Sequence, residues 1–119
     1  MQHIKEAKRY IANAKEILSE KAKKVDGYYS DPKYVKMAGH TAYTGVLVAL
    51  DGAFGKKTKG RKDIDWYKNN IAKTNKKLIP TLLSVYDILH LSLGYDGNLN
   101  AKVAASGFEE AEKIIKAYS

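Results

Sequence analysis

Apolar residues recur at helical spacing in the first part of the chain. From Ile4 to Val25 they step mostly by three and four residues, which places one apolar stripe along a helix of about six turns. The stripe consists of Ile4, Ala7, Ile11, Ala14, Leu18, Ala22 and Val25. Asp26-Gly27 follows, and glycine readily takes the left-handed conformation that ends a helix. The pattern therefore predicts a first helix that ends near residues 26–27.

Ser30-Asp31-Pro32 predicts the start of a second helix, because Ser and Asp are good N-caps and proline suits the first helical position. The apolar pattern then runs to about Phe54. Small residues recur within it at spacings of four and three: Ala38, Ala42, Gly45, Ala49 and Gly52. Since each helical glycine costs about 1 kcal/mol relative to alanine, this small-residue seam indicates a close approach of another backbone. Only a narrow polar stripe remains for water: Lys33, His40, Thr44 and Asp51.

The second half of the chain predicts two or three further helices. Asp63 is predicted to cap a third helix, and Pro80 either kinks that helix or starts a fourth. Residues 79–93 are nearly all apolar, so this segment is expected to be central. Asn98 or Asn100 is predicted to cap the last helix.

Strand-type alternation is missing and the connections are short, which predicts an all-α fold. We expect an up-down antiparallel bundle of four to five helices, without any sheet. A length of 119 residues and a mass of 13.3 kDa fit one hydrophobic core, so residues 1–119 are predicted to form a single domain.

The composition excludes several classes of functional site. Cysteine is absent, which excludes disulfides, thiolate metal sites and thiol nucleophiles. No apolar run approaches the ~18 residues of a membrane span or signal-peptide core, so we expect a cytoplasmic protein without membrane contact. The three histidines lack partners at metal-ligand spacing, and we expect neither a metal nor a cofactor.

Most of the net charge of +8 lies in the loop of residues 55–62. Its five cations are Lys56, Lys57, Lys59, Arg61 and Lys62. Such a cluster predicts weak, sequence-independent binding of nucleic acid or nucleotides, because a positive loop attracts phosphates. The favoured interpretation is that the loop is simply solvated, so nucleic-acid or nucleotide binding is the alternative. Only Arg9 and Arg61 among the 21 basic residues are arginine, and this weakens the nucleic-acid alternative because bidentate phosphate contacts favour arginine.

His90 and Asp87 mark a candidate pocket, because the histidine follows the aspartate by three residues on the most apolar predicted helix. Burial beside Asp87 could tune the pKa of His90 for acid–base chemistry. The favoured alternative is a hydrogen-bonded core histidine without a chemical role, since the sequence offers no nucleophile for it to activate. His40 falls on the polar stripe and is predicted to be a surface residue. No catalytic residue is assigned.

Apolar residues of the second helix span more than half of its circumference, which exceeds what a peripheral bundle helix normally needs. The surplus includes Leu47, Leu50 and Phe54. We expect this surface to form a symmetric homodimer, the commonest arrangement for self-association. The alternative is that a fifth helical segment of the same chain covers it.

The order of segments resembles HEPN-type bundles, especially small uncharacterised bacterial members. The resemblance is carried by a helix IKEAKRYIANAKEIL, a tyrosine-containing turn, an alanine-rich helix HTAYTGVLVALDGAF and a late block VYDILHLSLGYDGNLNAKVAASGFEEAEKII. It implies an up-down bundle of four or five helices that is often dimeric. Members of that family include ribonucleases of toxin–antitoxin systems and non-catalytic partners of minimal nucleotidyltransferases.

The ribonuclease members carry an arginine followed four to six residues later by histidine, and this chain lacks that motif. Arg9 and Arg61 have no histidine at that distance, and His90 has no arginine before it in its helix. The resemblance therefore implies a non-enzymatic protein-interaction module that binds itself and a nucleotidyltransferase-type partner. An enzyme that uses His90 and Asp87 is the remaining alternative.

Overall fold

The structure is a computed structural model that describes residues 2–55 and 60–119. Most of the described chain is helical, and two of the helices change from α to π geometry along their length. In chain order the elements are α1 (Gln2–Glu16), π1 (Ile17–Ala22), β1 (Lys24–Val25), β2 (Tyr28–Tyr29), α2 (Pro32–Phe54), α3 (Ile64–Thr74), a 3₁₀ turn (Lys76–Leu78), α4 (Ile79–Val85), π2 (Tyr86–Tyr95) and α5 (Ala101–Ala117). The predicted all-α bundle is confirmed.

The first helix ends earlier than the sequence pattern predicts. It stops at Ala22, and a two-stranded antiparallel hairpin follows in which Val25 pairs with Tyr28. Asp26 and Gly27 form its two-residue turn, with φ of 52° and 82°. Positive φ at both positions is typical of the type I′ turn, which Asp-Gly favours. The expectation of no sheet is therefore wrong at this one place, and Val25 is exposed instead of continuing the apolar stripe.

Helix α2 begins and ends where the sequence predicts. The Asp31 side chain accepts a hydrogen bond from the Lys33 backbone N–H at 2.9 Å, and the helix ends at Phe54. A Cβ atom on Gly45 would lie 2.8 Å from the Tyr10 Cβ, and one on Gly52 would meet the His3 ring. These contacts confirm the close approach along the seam and show that α1 and α2 run antiparallel.

Pro80 starts a fourth helical segment instead of kinking the third: α4 begins at Ile79 after the 3₁₀ turn, and the proline occupies its first turn. The range Lys76–Tyr95 spans 20 residues and is long and apolar enough to cross a membrane, by length and composition only. The expectation that no such run exists is therefore wrong. In the bundle, one side of this segment lies in the core: Leu82, Val85, Leu89 and Leu93.

The remaining caps agree with the sequence. Asp63 accepts a hydrogen bond from the Trp66 backbone N–H and caps α3. Asn100 accepts from the Lys102 backbone N–H and caps α5, while the Asn98 side chain accepts from the Asn100 backbone N–H. Short polar side chains therefore begin three of the helices.

Candidate interaction face

Five aromatic or imidazole rings from α2 and π2 meet on one side of the bundle. They are His40, Tyr43, Tyr86, His90 and Tyr95, and we call this group the aromatic face. The His90 ring stacks on Tyr43 with centroids 4.8 Å apart, and it lies 5.0 Å from Tyr86 and 5.4 Å from Tyr95. His40 and Tyr95 are exposed, while the other three rings are half-buried.

The π-helical geometry of π2 creates this arrangement. Tyr86 and Tyr95 are nine residues apart, which is two and a half turns of an α-helix, so an α-helix would point them in opposite directions. Nine residues are about two turns of a π-helix with roughly 4.4 residues per turn, so both rings lie on the same side as His90. Sequence reasoning missed this face because it applied the α-helical period throughout.

Two glycines let α2 and π2 approach each other at this point. A Cβ atom on Gly39 would lie 2.7 Å from the Gly94 backbone N and the Leu89 carbonyl O. A Cβ atom on Gly94 would lie 3.1 Å from the His40 ring. The close approach of the two backbones brings His40 beside the rings of π2.

The surroundings of His90 favour its neutral form. Its Nδ1 is buried and has no hydrogen-bond partner among residues 2–55 and 60–119. Burial lowers the pKa of His90, and the neighbouring His40 lowers this pKa further. Burial also raises the pKa of Tyr43 to about 12, with a smaller contribution from Tyr86. Both shifts favour the uncharged forms of His90 and Tyr43.

The predicted pairing of His90 with Asp87 does not form. Asp87 is exposed, and the pKa of His90 is lowered by burial and by His40, without a contribution from Asp87. The alternative of a hydrogen-bonded core histidine is also wrong, because His90 is half-buried and its Nδ1 is unpartnered. His40 is exposed, as predicted, but its ring belongs to the aromatic face.

Replacing His90 is expected to reduce the loss of folding stability at acid pH. The unfolded chain binds this proton near the ordinary value of 6.5, whereas the folded chain binds it only at lower pH. The histidine therefore costs stability as pH falls through 6.5 towards the lowered pKa, and stability rises with pH across that window. Denaturant titrations at several pH values should show that His90→Phe loses less free energy of unfolding at acid pH than the unaltered protein does. His3→Gln serves as the control, and the same reduction in both variants would contradict the assignment.

Part of the predicted anion-binding loop is engaged within the protein. Lys62 Nζ forms an ion pair with Asp51 Oδ1 at 2.9 Å, donates to the Gly55 carbonyl at 2.8 Å and lies 4.8 Å above the Trp66 ring. The Tyr67 hydroxyl donates to the same Asp51 oxygen at 2.8 Å. Asp51 is therefore half-buried and paired, instead of belonging to a polar stripe left to water. Lys62 anchors the end of the loop.

The structure does not test phosphate binding by the other four loop cations. Lys56, Lys57 and Lys59 lie outside the described residues, and Arg61 is exposed. Nucleic-acid binding by this loop stays a prediction.

The three residues of the predicted dimer surface differ in how far they are buried. Leu50 is fully buried, so it offers no surface to a partner. Phe54 is half-buried against Trp66 of α3 and Tyr118 near the chain end, with ring centroids 6.3 and 5.3 Å away. Leu47 is half-buried and lies one turn beyond Tyr43, beside the aromatic face. Other segments of the chain therefore cover much of the apolar surplus of α2, as the alternative held.

Comparisons with known proteins establish the family. A domain family of unknown function, DUF5618, matches residues 2–119. A solved structure of a protein of unknown function from Dyadobacter fermentans is 59% identical, with a TM-score of 0.95, and the match covers 98% of this chain and 94% of that one. No curated protein is similar enough to match. Neither match is described as a HEPN protein, so HEPN membership stays a prediction. The chain belongs to the DUF5618 family.

Proposed function

We propose that this protein is a non-enzymatic helical bundle that binds protein surfaces, a second copy of itself first, through the aromatic face. One observation carries the proposal: the segment Ile79–Tyr95 contains a single charged residue, Asp87, although most of its positions are not buried. Leu83 is 39% exposed and Tyr95 is 64% exposed. A partly exposed apolar helix surface that carries so few charges is typical of an interface.

The charge of the chain favours a second copy on this face. The protein carries a net charge of +8 from 21 basic and 13 acidic residues. Two copies repel each other wherever lysine-rich surfaces meet. The aromatic face avoids that repulsion, because no lysine or arginine lies on π2. Tyrosine-rich, lysine-poor composition is also characteristic of interface cores.

The resemblance to HEPN-type bundles supports the same reading, since that family is often dimeric. It also suggests a nucleotidyltransferase-type protein as a further partner. The ribonuclease motif of that family is absent from this sequence. His90 has no acid–base partner at Asp87, and this favours binding over catalysis.

Adding lysines at Tyr95 of the aromatic face and at the exposed Leu83, three residues before Tyr86, is expected to convert the dimer to a monomer. Leu83→Lys combined with Tyr95→Lys places four extra positive charges across a two-fold interface. Sedimentation velocity over a wide range of concentration should show a dimer for the unaltered protein and a monomer for the variant. The matched control is Val25→Lys with Tyr28→Lys, which adds the same charge at exposed apolar positions of the hairpin.

Two results would contradict the proposal. A monomer for the unaltered protein at every concentration would exclude self-association. A dimer that persists in the Leu83/Tyr95 variant, or that is lost equally in the hairpin control, would place the interface elsewhere. Far-ultraviolet circular dichroism, which reports helix content, should be unchanged in both variants, because all four side chains are exposed.

A further inference from the structure

A cleft runs between α1 and α5 on a different side of the bundle from the helix pair that forms the aromatic face. It contains two cavities of about 660 and 640 Å³ that share Lys15 and Glu112. The Lys15 Nζ and Glu112 Oε1 atoms are 2.6 Å apart, so this ion pair crosses the cleft and separates the cavities. Both volumes lie in the range of small-molecule sites, which is roughly 300–1,000 Å³.

The cavity of about 640 Å³ combines apolar lining with positive charge. Its apolar residues are Ile11 and Ala12 of α1 and Ile115 of α5. Lys8 lines it from α1 and Lys116 lines it from α5. Lysine side chains add their methylene stems to such a surface while the ammonium groups stay in water.

The charges of this cavity are not balanced. Glu112 is its one acidic residue, and that carboxylate is already paired with Lys15. Neither Lys8 nor Lys116 forms an ion pair within residues 2–55 and 60–119. The neighbouring cavity is different, because its two lysines face two glutamates: Lys15, Lys24, Glu109 and Glu112.

We propose that the cavity between Lys8 and Lys116 binds a small anionic amphiphile, a molecule with one acidic head group and an apolar body. The apolar body covers Ala12 and the methylene stems of Lys8 and Lys116, above the nearly buried Ile11 and Ile115, and this burial is favourable. The head group accepts hydrogen bonds from the two ammonium groups, which are otherwise without an anionic partner. Binding at this site is independent of self-association through the aromatic face.

Dodecanoate is the probe, used below its micelle-forming concentration. Isothermal titration calorimetry should show saturable binding of one dodecanoate per chain. Dodecyltrimethylammonium has the same apolar tail with a positive head, and it should bind at least about tenfold more weakly. Absence of dodecanoate binding, or equal affinity for the two amphiphiles, would overturn the proposal.

Substitutions then locate the site. Lys8→Gln combined with Lys116→Gln should weaken dodecanoate binding by about tenfold or more. Glu112→Gln should strengthen it, because it removes a negative charge from the lining and releases Lys15. The matched control is Lys73→Gln with Lys77→Gln, an exposed pair outside this cavity with the same loss of charge. An equal loss of affinity in the control, or weaker binding by Glu112→Gln, would overturn the assignment of the site.

Discussion

Leu50→Ala is expected to lower the free energy of unfolding by about 2–5 kcal/mol. Leu50 is fully buried and is among the largest completely buried side chains of the core. Its truncation leaves a cavity that close-packed neighbours fill only partly, so the lost contacts add to the lost hydrophobic transfer. Chemical denaturation monitored by circular dichroism measures the change.

The matched variant for this experiment is Leu47→Ala, three residues earlier on the same helix. Leu47 is half-buried, and the same truncation should therefore cost less. The loss for Leu50→Ala should also be the same at low and high protein concentration, because the side chain packs inside one chain. A small loss of stability together with weaker self-association would instead return Leu50 to a dimer surface.

Gly39→Ala is expected to lower the free energy of unfolding by about 1–3 kcal/mol, although alanine is the better helix former by about 1 kcal/mol. The added Cβ would lie 2.7 Å from the Gly94 backbone N, the Leu89 carbonyl O and the Leu93 Cβ. Two of these three atoms are backbone atoms within π2, so a side-chain rotation cannot relieve the contact. The helices must separate, and packing is lost along their shared surface.

Thr44→Ala is the control for Gly39→Ala. Thr44 is exposed on the same helix, and its replacement should leave stability unchanged or slightly higher because alanine has the greater helix propensity. Gly39→Ala should also perturb the near-ultraviolet circular dichroism of the tyrosines in the aromatic face, since the glycine sets the approach of α2 to π2. A neutral or stabilising Gly39→Ala would contradict the close approach of these helices.

Local sequence determined most of the helices and their ends. Asp31, Asp63 and Asn100 each cap the helix that the sequence assigns to them, because a short polar side chain bonds backbone N–H groups only two or three residues away. The apolar stripe of α1 is buried from Ile4 to Ala14 for an equally local reason, the 3.6-residue period. The small-residue seam of α2 also predicted that the backbone of another helix packs close to it.

The hairpin after α1 carried a local signal that the helical period obscured. Asp-Gly is the strongest short hairpin signal, and here both residues take positive φ. The apolar stripe, however, extends to Val25 and favours a longer helix by its spacing alone. The hairpin is fixed by distant partners: Tyr29 N–H donates to the Leu99 carbonyl at 2.8 Å, and Ala101 N–H donates to the Gly27 carbonyl at 2.9 Å.

Only the tertiary structure decided the candidate sites. The change from α to π geometry at Tyr86 turns Tyr95 to the side of His90, and the α-helical period of the sequence predicts the opposite side. Three other features likewise depend on contacts between separate elements. They are the Lys62–Asp51 pair, the burial of Leu50 and the cavity between Lys8 and Lys116. Helix period and caps depend on neighbours within a few residues, so the sequence determines them. The pairing of surfaces depends on how whole helices pack, so it is determined only when the bundle is assembled.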